Sequence, residues 1–196
     1  MLIRFFDVLI SFILLVLLSP VLFCIFLVIK ISSKGPVIFK QKRVGKNNSD
    51  FTLYKFRTMY INTQNRSAIT IGNRDSRITP AGYYLRKYKL DELPQLFNVL
   101  LNDMSIVGPR PELRKYVDMY TPEQRKVLAV KPGITDYASI KFRHENELLA
   151  GQSDPERYYI EEIMPVKIQL NGLYASKRNL RAYFIIIFNT LISVFK

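Results

Sequence analysis

The chain has one cysteine, one histidine and no tryptophan among its 196 residues. With Cys24 as the sole thiol no intramolecular disulfide can form, which excludes a disulfide-stapled secreted scaffold and makes a reducing compartment the expectation. A lone His144 beside that thiol cannot furnish a zinc cage of imidazole and thiolate, so any metal here would be a hard cation on oxygen ligands. Acids are scarce as well: 16 Asp and Glu stand against 29 Lys and Arg, a formal charge of +13. Hydrophobic residues make up 48%, too many for a disordered polycation, so a packed protein that meets something anionic is expected. The length suits one domain of ordinary size, and no internal repeat or low-complexity tract is evident.

The charge is unevenly placed. Residues 1–31 carry only Arg4, Asp7 and Lys30, and the run of 22 residues from Val8 to Ile29 has no ionisable side chain except Cys24. Roughly 20 apolar residues cross a bilayer core as a helix, so this segment belongs in lipid. It is longer than the about 7 to 15 residues of a signal-peptide core, and Ile31-Ser32-Ser33-Lys34 offers no small-x-small cleavage site, so it is expected to be retained. Ser19-Pro20 falls near its middle, where a proline removes a backbone hydrogen bond and clashes with the preceding turn, so a bend is expected. Two geometries follow: a kinked helix that crosses the membrane, or one that turns back to its starting side. Arg4 before the run and Lys30, Lys34, Lys40, Lys42, Arg43 and Lys46 after it lean toward the second, because both flanks then look cytoplasmic.

Beyond the turn at Lys34-Gly35-Pro36, Val37-Ile38-Phe39 and Phe51 to Arg57 read as strands around a polar loop, a small β-hairpin. Period two puts Lys55 and Arg57 on one face, roughly 7 Å apart, where two cations could hold a diphosphate or simply be solvated. Residues 60–80 read as a polar surface loop, with Thr79-Pro80 opening a short helix toward Tyr88. In Leu90-Asp91-Glu92-Leu93-Pro94, the apolar positions Leu93, Leu96, Phe97 and Leu100 predict an amphipathic helix whose N-terminus carries the two acids. Helix capping alone would explain Asp91 and Glu92. The same field, with Arg86, Lys87 and Lys89 upstream, would also keep a carboxylate ionised and nucleophilic while its neighbour holds a metal ion. Both readings stay open at this point.

Gly108-Pro109-Arg110-Pro111 is a stiff, non-helical elbow that would hold one guanidinium in place for bidentate phosphate contact, or merely end a helix. Thr121-Pro122-Glu123 reads as a helix start and Lys131-Pro132-Gly133-Ile134-Thr135 as a turn. Within the cationic cluster Lys141 to Glu145, Arg143 is a candidate anion ligand and His144 a surface residue. Residues 154–178 read as helical with Pro165 an interruption. The apolar tail from Ala182 to Phe195 is short for a span, so an interfacial or core-packed helix is expected.

Taken in order, the Ser19-Pro20 apolar segment, Lys34 to Gly45 (KGPVIFKQKRVG), Lys55 to Met59 (KFRTM), Arg77 to Gly82 (RITPAG), Leu90 to Leu96 (LDELPQL), Val107 to Pro111 (VGPRP) and Lys131 to Thr135 (KPGIT) resemble the bacterial sugar transferase family, small monotopic phosphoglycosyl transferases. The resemblance runs through nearly the whole chain. It implies an α+β fold, mainly helical, with a re-entrant membrane helix over residues 1–32 bent at Ser19-Pro20, a catalytic domain over 33–196 with a small hairpin, and interfacial amphipathic helices. It implies transfer of a sugar phosphate from a UDP-sugar to a polyprenol phosphate, with release of UMP, in bacterial glycan assembly. By similarity Asp91 would be the nucleophile and Glu92 would bind Mg²⁺ or orient the acceptor, so that both are expected metal ligands. Lys55, Arg57, Arg86, Pro109, Arg110, Pro111 and Arg143 are the expected phosphate and nucleotide contacts. The implied place is the cytoplasmic face of the bacterial inner membrane, against anionic lipid headgroups, with a homodimer left open and no nucleic acid as partner.

Two departures stand out. Many relatives carry Gly-Trp-Ala-Gln where this chain has Asp136-Tyr137-Ala138-Ser139, and Arg181-Ala182-Tyr183 replaces a common acidic position in the last helix. The larger relatives' additional N-terminal membrane bundle has no counterpart, so a catalytic unit alone is expected. The rival readings are a non-catalytic membrane scaffold and a membrane-tethered basic nucleic-acid binder, although no recognisable nucleic-acid module is present.

Overall fold

The computed structural model describes residues 1–61 and 75–195. The surface-loop expectation over 60–80 therefore lies largely outside the described residues. Two apolar helices come first, α1 (Leu2–Leu17) and α2 (Ser19–Ser32), bent by 63° where they meet. Pro20 has no N–H to donate to the Val16 carbonyl four residues back, and the Ser19 hydroxyl donates to that carbonyl instead, at 2.8 Å. Among the described residues no single helix is long and apolar enough to cross a membrane, whereas the bent pair together is, by length and composition.

An antiparallel hairpin follows, β1 (Ile38–Val44) with β2 (Asp50–Phe56), registered from Ile38 opposite Phe56 to Val44 opposite Asp50. Helix α3 (Pro80–Lys87) is capped by Thr79, whose hydroxyl accepts from Gly82 N–H. A single turn over Leu90–Glu92 leads into α4 (Gln95–Leu100). Strand β3 (Ser105–Val107) pairs in parallel with β4 (Gly133–Thr135), so the segment expected to be a turn at Gly133 is a strand. Between them lie α5 (Arg114–Val117) and a short 3₁₀ turn over Gln124–Ala129. The chain ends with α6 (Tyr137–Lys141), α7 (Glu145–Ala150), α8 (Pro155–Tyr158), a π turn over Tyr159–Ile163, α9 (Met164–Ser176) and α10 (Leu180–Phe195). Pro165 does mark an interruption, in the first turn of α9 just after the wide turn. The architecture is thus α+β and mostly helical, with two two-stranded sheets among the described residues.

Three apolar clusters carry the packing. Ile25, Ile29, Val37, Phe56 and Leu85 join α2 to the hairpin and α3; Leu53, Val99, Met104, Val107, Tyr183 and Ile186 join the hairpin, α4, β3 and α10. The third, with Tyr116, Val127, Tyr159 and Ile168, packs α5 and α9 against the end of β1. Helix α10 turns Tyr183 and Ile186 inward and leaves Phe184, Phe188 and Leu191 exposed, beside the exposed Phe5, Phe12, Phe23 and Ile31 of α1 and α2.

Polar residues fix the apolar pair to the rest. The guanidinium of Arg4 donates to the carbonyls of Val99 and Leu100 at the end of α4, at 2.6 and 3.1 Å. Asp7 is 1% exposed, and its carboxylate accepts from Ser105 Oγ, Ile106 N–H and Tyr183 Oη. At the far end Arg57, 3% exposed, donates to the carbonyls of Ser33 and Lys34, both at 2.7 Å, and to Ser33 Oγ at 3.0 Å. Orphan carbonyls at a helix C-terminus attract a cation, and a planar fork can satisfy several at once. Removing it leaves them unpaired: Arg57→Ala should lower stability by about 2–4 kcal/mol, read as a fall in melting temperature, and Arg57→Lys should recover only part of it.

Candidate active site

The backbone brings the two acids of the Leu90–Glu92 turn to the face of the hairpin. Lys89 enters the turn in the left-handed conformation, φ 57°, which sets the direction of Asp91 and Glu92. Neither acid caps the following helix: α4 begins at Gln95 after Pro94, with no side-chain cap. The capping explanation is therefore not realised. Helix α4 also rotates differently from its apolar pattern. Phe97 is 49% exposed, and Asn98 is buried because its side chain completes the hairpin ladder, accepting from Tyr54 N–H and donating to the Thr52 carbonyl. A satisfied amide outranks an apolar stripe when the neighbouring strand has unpaired backbone groups.

Glu92 is the hub of the site. One of its oxygens accepts from Lys55 Nζ at 2.8 Å and from Arg110 Nη2 at 2.5 Å, and the other from Arg110 Nη1 at 3.3 Å. Burial alone would raise the Glu92 carboxyl, but the guanidinium of Arg110 and the ammonium of Lys55 outweigh it and hold it well below the usual carboxylate range. The Glu92 charge in turn raises Arg110. Burial lowers Lys55.

Asp91 differs. It is 8% exposed, and its carboxylate makes no hydrogen bond or ion pair with any described residue. Burial and the neighbouring Glu92 charge raise its pKa, against the opposing pull of Lys55, Arg86 and Lys89. The expectation that the surrounding cations would hold this carboxylate's pKa down is met only in part: Lys55, which pairs with Glu92, and Arg86 and Lys89 do not offset burial and the Glu92 charge.

The elbow is held at each residue. Pro109 offers its carbonyl to Gly133 N–H at 2.9 Å, and Arg110 N–H donates to Asp136 Oδ2 at 2.8 Å. Gly108 and Gly133 run backbone to backbone, so a Cβ on Gly133 would fall 2.1 Å from the Gly108 nitrogen. Only glycine permits that approach.

The family model described as bacterial sugar transferase matches residues 1–196. The chain belongs to that family. It is similar to the UDP-N-acetylgalactosamine-undecaprenyl-phosphate N-acetylgalactosaminephosphotransferase of Aeromonas hydrophila, 41% identical over 158 residues that cover 79% of this chain and 36% of that protein. With the UDP-glucose:undecaprenyl-phosphate glucose-1-phosphate transferase of Escherichia coli K12 the identity is 38% over 165 residues, 80% and 35% of the two lengths. The uncharacterized sugar transferase EpsL of Bacillus subtilis is 41% identical over 141 residues, 72% of this chain and 69% of that protein. The chain spans about a third of the length of the first two relatives.

Within this sugar transferase fold the expected site residues separate into groups. Asp91, Glu92, Lys55 and Arg110 meet, and Pro109 and Pro111 are buried on either side of Arg110. Arg86, on α3, lies within electrostatic range of Asp91 and Glu92, and burial lowers its pKa. Arg57 does not join Lys55: it binds the end of α2, and the two-cation strand face is corrected accordingly. Arg143 is half-buried in the turn between α6 and α7, and His144 is exposed, 3.5 Å from Glu147. Ser19 and Pro20 sit at the bend. The sequence reading missed Asp136, fully buried, which caps α6 through Ser139 N–H while gripping Arg110. Its Asp-x-x-Ser cap pattern was visible, but the contact to Arg110 was not.

The opposed pKa directions predict opposed stability effects. Asp91 has a raised pKa, so its contribution is present below the unfolded value of about 4 and is lost as pH rises through its folded value. Asp91→Asn should therefore melt higher than the parent at neutral pH, with the gap closing toward acid. Glu92 has a lowered pKa, so its stabilisation is present above the unfolded value and lost as pH falls through the folded one. Glu92→Gln should melt lower at neutral pH and converge on the parent in acid. Melting curves against pH check both, and equal signs for the two variants would contradict the assignment.

Proposed function

We propose that this protein transfers a sugar phosphate from a UDP-sugar to a polyprenol phosphate such as undecaprenyl phosphate, releasing UMP, at the cytoplasmic face of the bacterial inner membrane, as an opening step of capsule, O-antigen or exopolysaccharide synthesis. The observation that carries this reading is the buried Asp91 carboxylate, unpartnered among the described residues, beside a Glu92 that gathers Lys55 and Arg110. The names of the Aeromonas and Escherichia relatives support the substrate classes.

In this reading a carboxylate oxygen of Asp91 forms a bond to the phosphorus that carries the sugar, while the bond from that phosphorus to the oxygen shared with UMP breaks and its electron pair leaves with UMP. An oxygen of the polyprenol phosphate then attacks the same phosphorus and returns the electron pair to Asp91. Both partners in each step are anionic, so positive groups have to offset their repulsion and the charge on the equatorial oxygens. Lys55 and Arg110 face phosphate oxygens once these compete for them with Glu92, and Arg86 and Arg143 are the outer cations. An arriving diphosphate also favours an ionised Asp91 if it brings compensating cations with it.

Two adjacent carboxylates suit Mg²⁺, which takes most of its ligands from water and phosphate oxygens. Among the described residues no group of three or more His, Cys, Asp and Glu could hold a metal ion. Asp91 and Glu92 would hold it. When bound, Mg²⁺ supplies charge neutralisation on the diphosphate.

The bent pair α1–α2 reads as a re-entrant membrane helix over residues 1–32, with residues 33–196 on its cytoplasmic side. Both of its ends are tied to one body, Arg4 at α4 and the end of α2 at Arg57, and that supports a return to the starting side. The exposed apolar faces of α1, α2 and α10 would lie in lipid, and Lys and Arg near them would meet anionic headgroups at about 1 kcal/mol each.

Asp91→Asn should abolish UMP release from UDP-sugars in the presence of polyprenol phosphate and Mg²⁺, whereas retained turnover would remove Asp91 as nucleophile. For topology, in a Cys24→Ser background, cysteines placed at Leu2 and at Lys34 should both react with an impermeant thiol reagent from the cytoplasmic side only. Reaction of the two from opposite sides would turn the pair into a crossing helix.

A further inference from the structure

Within electrostatic range of Arg110 lies a second buried group of charges that the chemistry above does not use. Glu112 stands two residues after Arg110 on the same proline-stiffened loop. Its carboxylate accepts from Tyr159 Oη at 2.6 Å and lies 3.7 Å from Lys167 Nζ and 3.9 Å from Arg43. Lys167, 8% exposed, also pairs with Glu145 at 2.7 Å. Arg43 donates to the Pro111 carbonyl at 3.1 Å, and Val44 N–H donates to the Glu112 carbonyl at 3.0 Å. The loop is thereby fixed from the hairpin by Arg43 and Val44, from the π turn by Tyr159 and from α9 by Lys167, while Asp136 fixes it from the other side.

Buried ion pairs of this kind add little to stability compared with well-packed apolar residues of the same volume. Their alternation of sign does something else. Burial would raise the Glu112 carboxyl, but Lys167 and Arg43 hold it below the usual range, so it keeps its charge. That charge offsets Arg43, whose guanidinium repels that of Arg110, and it shares Lys167 with Glu145.

We infer that Glu112 is a positioning residue: with Arg43, Lys167, Glu145 and Tyr159 it fixes where the Arg110 guanidinium stands, and so how well Arg110 meets the diphosphate. This rests on the reading in which Arg110 contacts substrate phosphate. Glu112 itself touches no reacting atom.

A double-mutant cycle tests it in the full chain reconstituted in membranes. Glu112→Gln should reduce kcat for UMP release on the order of tenfold, because small displacements of a charge-stabilising group have large effects on rate. In an Arg110→Ala background the same change should alter kcat less than twofold, since there is then no guanidinium to place. A tenfold loss in both backgrounds, or no loss in the parent, overturns the inference. Should Glu112→Gln fail to fold, Lys167→Met is read in the same cycle.

A second readout needs no turnover. The Nε–H resonance of Arg110, assigned by its disappearance in Arg110→Lys, should move in Glu112→Gln and in Lys167→Met at unchanged melting temperature. An unmoved resonance overturns the inference. If the parent releases no UMP from any UDP-sugar, the functional reading fails and the resonance alone decides the placement of Arg110.

Discussion

One carboxylate draws together three parts of the chain that are far apart in sequence. Glu92 accepts from Lys55 on β2 and from Arg110 in the Gly-Pro-Arg-Pro elbow, and both contacts lie within a site largely withdrawn from water. Charge-assisted hydrogen bonds in such a setting are short and directional, and removing either side would leave a buried charge unpaired. The consequence falls on Asp91. Among the described residues Asp91 has no hydrogen-bond or ion-pair partner, and burial beside the Glu92 charge raises its pKa. Two adjacent carboxylates with opposite pKa directions are a common means of dividing chemical roles.

That arrangement needs a rigid surround, and the fold supplies it from several directions. The parallel strands β3 and β4 place the elbow, with Gly108 and Gly133 too close for any side chain. Asp136 grips Arg110 from one flank, and the network around Glu112 grips the loop from the other. The apolar helices are part of the same body: Asp7 reaches from α1 to the first residues of β3, the strand that leads directly to the elbow. A buried carboxylate in an otherwise apolar helix is costly unless fully satisfied, and here Ser105, Ile106 and Tyr183 satisfy it. The segment that would enter lipid and the loop that would meet phosphate are therefore linked by a few hydrogen bonds.

Much of this was legible locally and little of it at long range. The bend at Ser19-Pro20, the hairpin and the helix start at Thr79 all follow from short-range rules about proline, period-two strands and helix ends. Contacts between distant residues were not. Period two places Arg57 beside Lys55, on a face that could hold a diphosphate or be solvated, and nothing local says that the end of α2 lies within reach. Phe97 belongs by its spacing to the apolar stripe of a helix, whereas the amide of Asn98 had unpaired strand groups to satisfy. Gly133 suggested a turn, although its freedom serves a close strand contact. Asp136 looked like a mere departure from relatives, yet it holds Arg110. In each case the missing information was which backbone groups another element would leave unsatisfied.

The central claim is that Asp91 becomes bonded to the phosphorus that carries the sugar. Its most direct measurement is the mass of the peptide containing Asp91 after the protein has been mixed with a UDP-sugar in the absence of polyprenol phosphate and quenched. The account predicts an added mass equal to one sugar phosphate on Asp91, removed when polyprenol phosphate is supplied before the quench. An unmodified peptide under conditions where UMP is released, or the added mass on another residue, would contradict it.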